Sequence, residues 1–218
     1  MKLLALDTCL DACSAALRTD AAVVAAITEP MRRGHQERLA PMVAELMDGA
    51  GWRFGDLDRI AVTVGPGSFT GLRVGLAFAK GLALALDKPC VGVGVLEALA
   101  RGAGTKGFVA ACLDAKRGQV YLQIFIDGRA AMAPDVLPVE IAAARLAELW
   151  PGGPAKLVGS GAPLLAPVLA ETETLTPAAA DPVAIAEIAA AAREPFPPPR
   201  PLYLRPPDAK LPGGIDPP

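Results

Sequence analysis

The chain lacks the residues on which several large enzyme classes depend. It contains no Gly-Lys-Ser or Gly-Lys-Thr and therefore no P-loop, and it contains no Gly-X-Ser-X-Gly hydrolase elbow. His35 is the only histidine, so a serine, cysteine or zinc hydrolase would have a single candidate base or ligand. We therefore do not expect hydrolysis, and a peptidase is the least favoured enzyme class.

The chain also lacks a surplus of positive charge. It has 21 basic and 23 acidic residues and a net charge of −2. Proteins that bind nucleic acid directly usually carry a basic surface, because contacts to phosphates supply much of the affinity. If RNA is involved, we expect another chain to hold it. Apolar residues make up 52% of the chain and charged residues 20%, which is typical of a globular protein.

Neither a signal peptide nor a membrane span is expected. The N-terminus has one lysine followed by a strand that contains Asp7. The longest nearly apolar run, Val74 to Leu86, includes Lys80 and is shorter than the roughly 20 residues that cross a bilayer. These features predict a soluble cytoplasmic protein.

Cysteines are few, and they lie in or beside apolar stretches. We expect them to be reduced and buried, as small hydrophobic residues in a cytoplasmic protein. Cys9 and Cys13 have the spacing of a metal clip, but no second cysteine pair or histidine partner follows. The four are Cys9, Cys13, Cys90 and Cys112.

The first half is predicted to begin with three antiparallel strands, which are followed by alternating helices and strands. Apolar spacing predicts strands at 3–6, 13–18 and 23–28, a helix at 39–50, a strand at 59–64, a helix to 86, a strand at 90–95 and a helix to 101. Pro41 should either kink the first helix or mark its start. Ser68 or Thr70 is the expected N-cap of the second helix.

The second half begins with the same sequence pattern as the first. A small, flexible segment at 102–107 precedes an apolar strand at 108–113, which ends at Asp114 just as strand 3–6 ends at Asp7. We interpret this as a duplicated α/β unit with a cleft between the copies. Further elements are predicted as a strand at 119–126, helices at 138–149, 162–170 and 182–192, and a strand at 156–158.

The predicted organisation is an N-terminal subdomain of residues 1–101, a C-terminal subdomain of residues 102–193 and a tail of residues 194–218. Ten of the 22 prolines fall from Pro195 onward, so the tail should be extended. We expect it to lie against the N-terminal subdomain, with Tyr203 and Leu204 as the docking residues.

Two carboxylates and a glycine-rich turn form the candidate nucleotide or anion site. Asp7 and Asp114 could point into the cleft, or each could cap its own turn. The run Gly-Pro-Gly-Ser-Phe-Thr-Gly-Leu-Arg at 65–73 could bind an anion at the following helix, or could be a tight connection that needs glycine for backbone reasons. The site residues are Asp7, Thr8, Gly65, Gly67 and Asp114.

The helix after this turn is apolar on nearly all sides. Gly71, Gly75 and Ala79 recur at intervals of four, and Arg73 and Lys80 are its only long polar residues. One face can pack on the sheet, as ordinary core packing requires. A helix that is apolar all round needs burial on its other face as well, so a partner is expected there.

Several stretches resemble the bacterial TsaB family. They are Leu-Leu-Ala-Leu-Asp-Thr (3–8), Gly-His-Gln-Glu-Arg-Leu-Ala-Pro-Met (34–42), Val-Gly-Pro-Gly-Ser-Phe-Thr-Gly-Leu-Arg-Val-Gly (64–75), Ala-Lys-Gly-Leu-Ala (79–83), Asp-Ala-Lys-Arg-Gly-Gln-Val-Tyr (114–121) and Pro-Leu-Tyr-Leu-Arg-Pro-Pro-Asp-Ala-Lys (201–210). The resemblance implies an α/β fold of the actin-like ATPase type, with two RNase H-like subdomains whose mixed sheets are flanked by helices.

The resemblance also implies a function. It indicates a non-catalytic scaffolding subunit that binds and activates the TsaD transferase, the paralogue that forms threonylcarbamoyladenosine beside the anticodon of tRNA. It further implies a TsaE-like ATPase partner, a homodimer when the protein is alone, and contact with tRNA only through the complex. No intrinsic cofactor is implied, although ATP or ADP with Mg could bind at the partner interface. The histidine pair that holds metal in TsaD has no counterpart at 94–99.

The family's partner surface maps onto the two early helices. The expected partner-binding residues are His35, Leu39, Met42, Val43, Leu46, Ser68, Phe69, Thr70, Gly71, Arg73, Gly75, Phe78, Ala79 and Leu82. The alternative function is a small actin-like ATP-dependent phosphotransferase that uses Asp7 and Asp114 around Mg-ATP.

Overall fold

The structure, a computed structural model, describes residues 1–205. Its first half holds a five-stranded sheet of β1 (Leu3–Asp7), β2 (Ala12–Arg18), β3 (Val23–Pro30), β4 (Arg59–Thr63) and β5 (Cys90–Val93). The strands lie in the order β3-β2-β1-β4-β5, with β1, β2 and β3 antiparallel and β1, β4 and β5 parallel. All five residues of β1 are buried, as expected of a central strand covered on both faces.

Three helices accompany the first sheet: α1 (His35–Gly49), α2 (Phe69–Leu86) and α3 (Val95–Ala103). Because α1 begins at His35 and includes Pro41, the alternative that Pro41 marks the helix start is wrong. Ser68 is the N-cap of α2, as predicted, and its Oγ accepts a hydrogen bond from Gly71 N at 3.3 Å.

The second half repeats the order of the first. It contains β6 (Phe108–Lys116), β7 (Gln119–Ile126), β8 (Arg129–Ala130), β9 (Asp135–Pro138), α4 (Val139–Leu149), β10 (Ala155–Val158), α5 (Ala162–Leu165), β11 (Thr172–Leu175) and α6 (Pro182–Ala191). Its strands lie in the order β11-β10-β6-β7-β8, and β9 also pairs with β7. Strand β6 thus occupies the place of β1 and β10 that of β4, which confirms the predicted duplication.

The second half departs from the prediction in two respects. The helix expected over 162–170 is wrong, because α5 ends at Leu165 and a 3₁₀ turn, Ala166–Val168, follows. Pro163 and Pro167 each remove a backbone donor, which keeps both segments short. The short strands β8, β9 and β11 were not predicted.

The last helix of each half packs across the boundary between the halves. Helix α6 packs on β1 and β2 of the first sheet, and α3 packs on β6 of the second. Ile185, Ala186 and Ala189 of α6 accordingly belong to the same buried cluster as the first sheet. The predicted subdomain boundary at residue 101 falls inside α3.

Helix α2 is unusually apolar for its position. Its 18 residues have a mean hydropathy of 1.4, so length and composition alone would allow it to cross a membrane, a test that core helices of soluble proteins also pass. Only 33% of the helix is buried within the described structure. One side packs on β4, while much of the remainder is uncovered.

The segment after α6 returns to the first half. Arg59 donates hydrogen bonds to the carbonyl oxygens of Ala189 and Ala192, and its guanidinium lies 4.3 Å from the ring centre of Phe196. Further along, Leu202 N donates to Val64 O at 2.7 Å. The remainder of the predicted tail, residues 206–218, lies outside the described residues.

Candidate functional site

Asp7 lies at the end of β1 and is wholly buried. Its Oδ1 accepts hydrogen bonds from Thr63 Oγ1 at 2.6 Å and from Cys9 N at 3.0 Å. Its Oδ2 has no hydrogen-bond partner among the described residues. Burial is the main influence on this carboxyl and raises its pKa above the usual range. The prediction that the Asp7 side chain points into the cleft is therefore wrong.

Asp114 occupies the equivalent place at the end of the second central strand and does reach the cleft. Its Oδ1 accepts a hydrogen bond from Lys116 N at 2.8 Å, and its Oδ2 pairs with Lys116 Nζ at 2.6 Å. The hydrogen bond from the Lys116 side chain is the main cause that lowers the pKa of Asp114. Both aspartates thus cap their own turns, which is the structural alternative considered from the sequence.

The cleft between the two halves has a volume of about 620 Å³. Of the five residues predicted to form the nucleotide or anion site, only Gly67 and Asp114 line it. Thr8 is wholly buried, and its Oγ1 donates a hydrogen bond to Gly71 O at 2.7 Å. Gly65 is also buried and has a left-handed φ of 103°. The prediction that Thr8 and Gly65 lie in an open site is wrong.

The glycines of the loop and of α2 allow two backbones to meet. A Cβ at Gly67 would collide with Cys9 O, and one at Gly71 would collide with Thr8 O. A Cβ at Gly75 would lie 2.5 Å from Thr8 Oγ1. The interval of four residues therefore serves close packing of α2 against the β1–β2 turn, rather than contact with a partner.

The apolar face of α1 packs against its own sheet. Leu39, Met42, Val43 and Leu46 all belong to the buried core of the first half. The prediction that these four residues form an accessible partner surface is wrong. Helical periodicity identifies a face that must be buried, but it does not identify what buries it.

Helix α2 divides into a buried side and an exposed side. Gly71, Gly75 and Ala79 are buried, so they too are removed from the predicted accessible surface. Ser68, Phe69, Thr70 and Arg73 remain accessible, and Phe78 and Leu82 are half-buried. His35, the last member of the predicted set, is buried. The exposed stripe, which we call the α2 outer face, consists of Phe69, Arg73, Ala77, Lys80, Gly81 and Leu84.

Two apolar residues dominate the α2 outer face. Phe69 is 56% exposed and Leu84 is 85% exposed. Leu84 was missed from the sequence, although its spacing of 15 residues from Phe69 places it on the same side of the helix. A side of a helix that leaves apolar side chains exposed is a candidate surface for contact with another protein.

The extended segment after α6 covers one end of this face. The rings of Tyr203 and Phe69 lie with their centres 5.8 Å apart, and the Arg73 guanidinium lies 3.7 Å from the Phe69 ring centre. Arg73 Nε also donates to Tyr203 Oη at 3.2 Å. Tyr203 thus docks on α2 and extends the outer face.

His35 is 7% exposed and lies at the first position of α1. It lines a cavity of about 480 Å³ between the N-termini of α1 and α2, which Thr70 and Gly71 also line. Among residues 1–205, no group of three or more His, Cys, Asp and Glu side chains is placed to hold a metal ion.

The cysteines are free, as expected. Cys9, Cys13 and Cys112 are buried, and Cys90 is half-buried. Cys9 Sγ lies 3.1 Å from Thr63 Oγ1, which links the thiol to Asp7 through a shared hydroxyl. Burial raises the pKa of each thiol above its usual value.

The sequence matches a family model described as tRNA N6-adenosine threonylcarbamoyltransferase, TsaD, over residues 23–157. The tRNA threonylcarbamoyladenosine biosynthesis protein TsaB of Escherichia coli is 42% identical over 124 residues, which is 56% of this chain and 53% of that protein. The match therefore spans about half the length of this curated relative.

Similarity to solved structures extends over nearly the whole chain. A crystal structure from Pseudomonas aeruginosa, described as that of a protein similar to the peptidase YEAZ, has a TM-score of 0.79 and 34% identity. That alignment covers 94% of this chain and 99% of the other. Component A of (R)-2-hydroxyglutaryl-CoA dehydratase from Acidaminococcus fermentans has a TM-score of 0.53 and 12% identity, covering 87% and 97%. This second likeness concerns the fold alone.

The two sheets have the same topology, and the glycine-rich turn packs on the β1–β2 connection. Both features agree with the similarities to known proteins. The chain has the actin-like ATPase fold and belongs to the TsaB family.

Proposed function

We propose that this protein is a non-catalytic subunit of the complex that forms threonylcarbamoyladenosine next to the anticodon of tRNA, and that it binds and activates a TsaD-like transferase. The observation that carries this proposal is the α2 outer face, where Phe69 and Leu84 are 56% and 85% exposed on a helix of mean hydropathy 1.4. Covering such a stripe with a second protein removes apolar surface from water, which is the main driving force of most association.

The two aspartates support a non-catalytic role. Asp7 is sealed beneath the cleft and hydrogen-bonded to Thr63 and Cys9. Asp114 is engaged by Lys116 through both carboxylate oxygens. These residues do not fit a Mg-phosphate site in the cleft, since neither presents a free carboxylate there. The proposal accordingly gives the subunit no intrinsic cofactor and places any Mg-ATP or Mg-ADP at the interface with the transferase.

The remaining partners follow from the same face and from the charge of the chain. In the absence of the transferase, we expect a homodimer through the α2 outer face, because the same apolar residues then need cover. A TsaE-like ATPase joins the mixed pair. With a net charge of −2, the subunit meets tRNA only through the complex, in the cytoplasm.

Co-expression with the TsaD-like paralogue from the same source tests the proposal. The wild-type chain should elute with the transferase as a mixed complex in size-exclusion chromatography. Leu84→Glu should abolish the mixed complex, because it replaces the most exposed apolar residue of the α2 outer face with a charge that the contact would desolvate. Reconstituted tRNA modification, followed by nucleoside chromatography, should be lost with it.

Ile141→Glu is the matched control, since Ile141 is an exposed apolar residue on a helix of the other half. It should leave complex formation and modification intact. Retention of the complex by Leu84→Glu, or equal loss in both variants, would contradict the assignment of the partner surface to α2.

The phosphotransferase alternative makes an opposite prediction. It requires the isolated chain to bind Mg-ATP and to phosphorylate an acceptor with the help of Asp7. The burial of Asp7 disfavours this function. Isothermal titration of the isolated protein with Mg-ATP distinguishes the two: tight binding that is lost in Asp114→Asn would favour the phosphotransferase.

A further inference from the structure

The backbone passes between the two halves of the molecule twice. The first passage leads from α3 to β6, and the second leads from β11 back to α6. Pro177 and Ala178 of the second passage line the cleft. Residues 202–205, which we call the C-terminal strap, form a third link between the halves. This link is made by side-chain and backbone contacts to both halves.

The strap is attached to the first half at the glycine-rich turn. Leu202 N donates a hydrogen bond to Val64 O at 2.7 Å, directly before that turn. Gly65 allows the strap to approach closely, because a Cβ at this position would lie 3.1 Å from Leu202 O. The φ of Gly65 is 103°, which also favours glycine. The strap therefore lies against the turn that brings Gly67 to the cleft.

Tyr203 provides a second attachment to the first half. Its ring packs against that of Phe69 with 5.8 Å between the ring centres, and its Oη accepts a hydrogen bond from Arg73 Nε at 3.2 Å. Because Tyr203 is 51% exposed, this contact lies on the surface and is not part of the buried core. An aromatic pair of this kind, with its hydroxyl hydrogen-bonded, holds the strap on α2.

Arg205 attaches the strap to the second half. Its Nη1 donates a hydrogen bond to Ala115 O at 3.0 Å, although the two residues are 90 positions apart in sequence. Ala115 belongs to β6 and lines the cleft. A hydrogen bond from a guanidinium is stronger than one between two neutral groups. Arg205 therefore connects the strap to the wall of the cleft that lies opposite the glycine-rich turn.

The two attachments are close together along the chain. One residue separates Tyr203 from Arg205, and two residues of extended chain span at most about 7 Å. The strap therefore restricts how far Phe69 and Ala115, its contacts on the two halves, can move apart. Both contacts adjoin or belong to the lining of the cleft. Widening the cleft therefore requires that one of the two attachments be released.

We infer that the C-terminal strap limits the opening of the cleft, with Tyr203 and Arg205 as its two attachments. When either attachment is lost, the halves separate about the two backbone passages and the cleft widens, as in hinge motions of other proteins with two domains. Because Tyr203 also extends the α2 outer face, the strap links the cleft to that face. This link rests on the proposed function, whereas the restriction of the cleft does not.

Distance measurements between two spin labels in the isolated full-length protein test the strap. Ala40→Cys in α1 and Ala144→Cys in α4 carry the labels, because both positions are exposed and lie on helices of different halves. Cys90→Ser in the background removes the half-buried native thiol. With the strap intact, we expect a narrow distribution of distances. Arg205→Met keeps the aliphatic stem but removes the donors, so the mean distance should lengthen and the distribution should broaden.

Tyr203→Ala should have the same effect, because it releases the other attachment. Arg200→Met is the matched control, since Arg200 is an exposed arginine in the same segment before the strap begins. It should leave the distances unchanged. None of these side chains belongs to the buried core, so all three variants should fold, and circular dichroism checks this. Unchanged distances in either strap variant, or an equal change in Arg200→Met, would overturn the inference.

The link to the α2 outer face is tested by adding the TsaD-like transferase to the labelled protein. A protein that covers Tyr203 should hold the strap in place and narrow the distance distribution. The narrowing should be absent in Arg205→Met, which lacks the attachment to the second half. Equal narrowing in both proteins would contradict the link. A transferase that does not bind would contradict the proposed function instead, since the distances in the isolated protein do not depend on it.

Discussion

Asp7 and Asp114 hold the same position in the two halves of the molecule, and each accepts the N–H of the residue two positions further along the chain. The distances are 3.0 Å to Cys9 N and 2.8 Å to Lys116 N. Each aspartate stands at the point where a central buried strand gives way to a turn. In both copies of the duplicated unit, the aspartate therefore caps the turn that follows its strand.

The two copies differ in what surrounds the carboxylate. Asp114 is balanced by Lys116, whose ammonium lies 2.6 Å from it, and remains at the rim of the cleft. Asp7 has no cation beside it and leaves one oxygen unpaired in the interior. Burial without a neighbouring cation disfavours the charged form of a carboxyl group, so ionised Asp7 destabilises the fold at neutral pH.

Asp7→Asn should therefore stabilise the protein at pH 7, because it removes a buried charge, even though the amide Nδ2 then takes the unpaired position of Oδ2. The amide oxygen can still accept the bonds from Thr63 and Cys9, while the charge is gone. Urea denaturation at a series of pH values measures the change.

The pH dependence has a definite sign. Because the folded-state pKa of Asp7 is raised above its ordinary 3.8, the folded state holds the proton more tightly than the unfolded state. Stability of the wild type should thus fall as pH rises from about 3.8 through the folded-state pKa, and the advantage of Asp7→Asn should vanish below that window. A variant that is less stable than wild type at pH 7 would show that the carboxylate has a favourable partner.

Glycine substitutions in α2 should have opposite effects at two positions. Gly71→Ala forces a Cβ against Thr8 O, which is backbone and cannot move aside, so a loss of about 2–4 kcal/mol or failure to fold is expected. Gly81→Ala meets nothing within 4 Å and should stabilise the helix by about 0.5–1 kcal/mol. Thermal melts of the two variants check both signs.

The same geometry bears on partner binding. A bulky residue at Gly75 would also strike Thr8, so loss of tRNA modification in such a variant would report misfolding as well as any loss of contact. If Gly71→Ala proved as stable as wild type, the close approach of α2 to the β1–β2 turn would be refuted.

The sequence predicts much of the fold because its strongest signals are local. The continuous apolar run of β1, followed by Asp7, and its counterpart before Asp114 were sufficient to predict the duplication. The strand Thr172–Leu175 was missed since Thr-Glu-Thr-Leu has little apolar pattern, and its place is set by parallel pairing with β10.

The sites are harder to predict because they depend on contacts distant in sequence. Whether Asp7 faces the cleft or the interior is decided by Thr63 and by the packing around it, 56 residues away. Periodicity showed that Leu39 and Met42 belong to a buried face, but the partner turned out to be the chain's own sheet. The all-round apolar character of α2 did correctly predict an uncovered side, where Leu84 lies.

Cysteine reactivity should be low at neutral pH. Burial raises the pKa of Cys13 and of Cys90 to about 11 and that of Cys112 to about 12, and only the thiolate reacts with iodoacetamide. Labelling at pH 8 should be slow and should occur first at Cys90, the half-buried thiol. Its rate should rise about tenfold per pH unit toward 11. Mass spectrometry of labelled peptides measures the order, and rapid labelling of Cys13 or Cys112 at pH 7 would show that the interior opens.

Arg59 anchors the chain where it leaves α6, and its loss should weaken the fold. Its guanidinium donates hydrogen bonds to the carbonyl oxygens of Ala189 and Ala192 and stacks on the ring of Phe196. The two carbonyls lie 130 and 133 residues away in sequence. Arg59→Met keeps the aliphatic stem but removes the donors, so we expect a loss of about 1–3 kcal/mol in the free energy of unfolding. Arg53→Met is the control, because the Arg53 side chain is 91% exposed and its one ion pair, with Asp56, should contribute less than about 1 kcal/mol.

Limited proteolysis should also cut the segment after residue 192 sooner in Arg59→Met than in Arg53→Met, since the freed end of α6 and the segment beyond it lose their attachment to β4. Equal stability and equal cleavage of the two variants would mean that the segment is held by its contacts near Val64 and Phe69 alone.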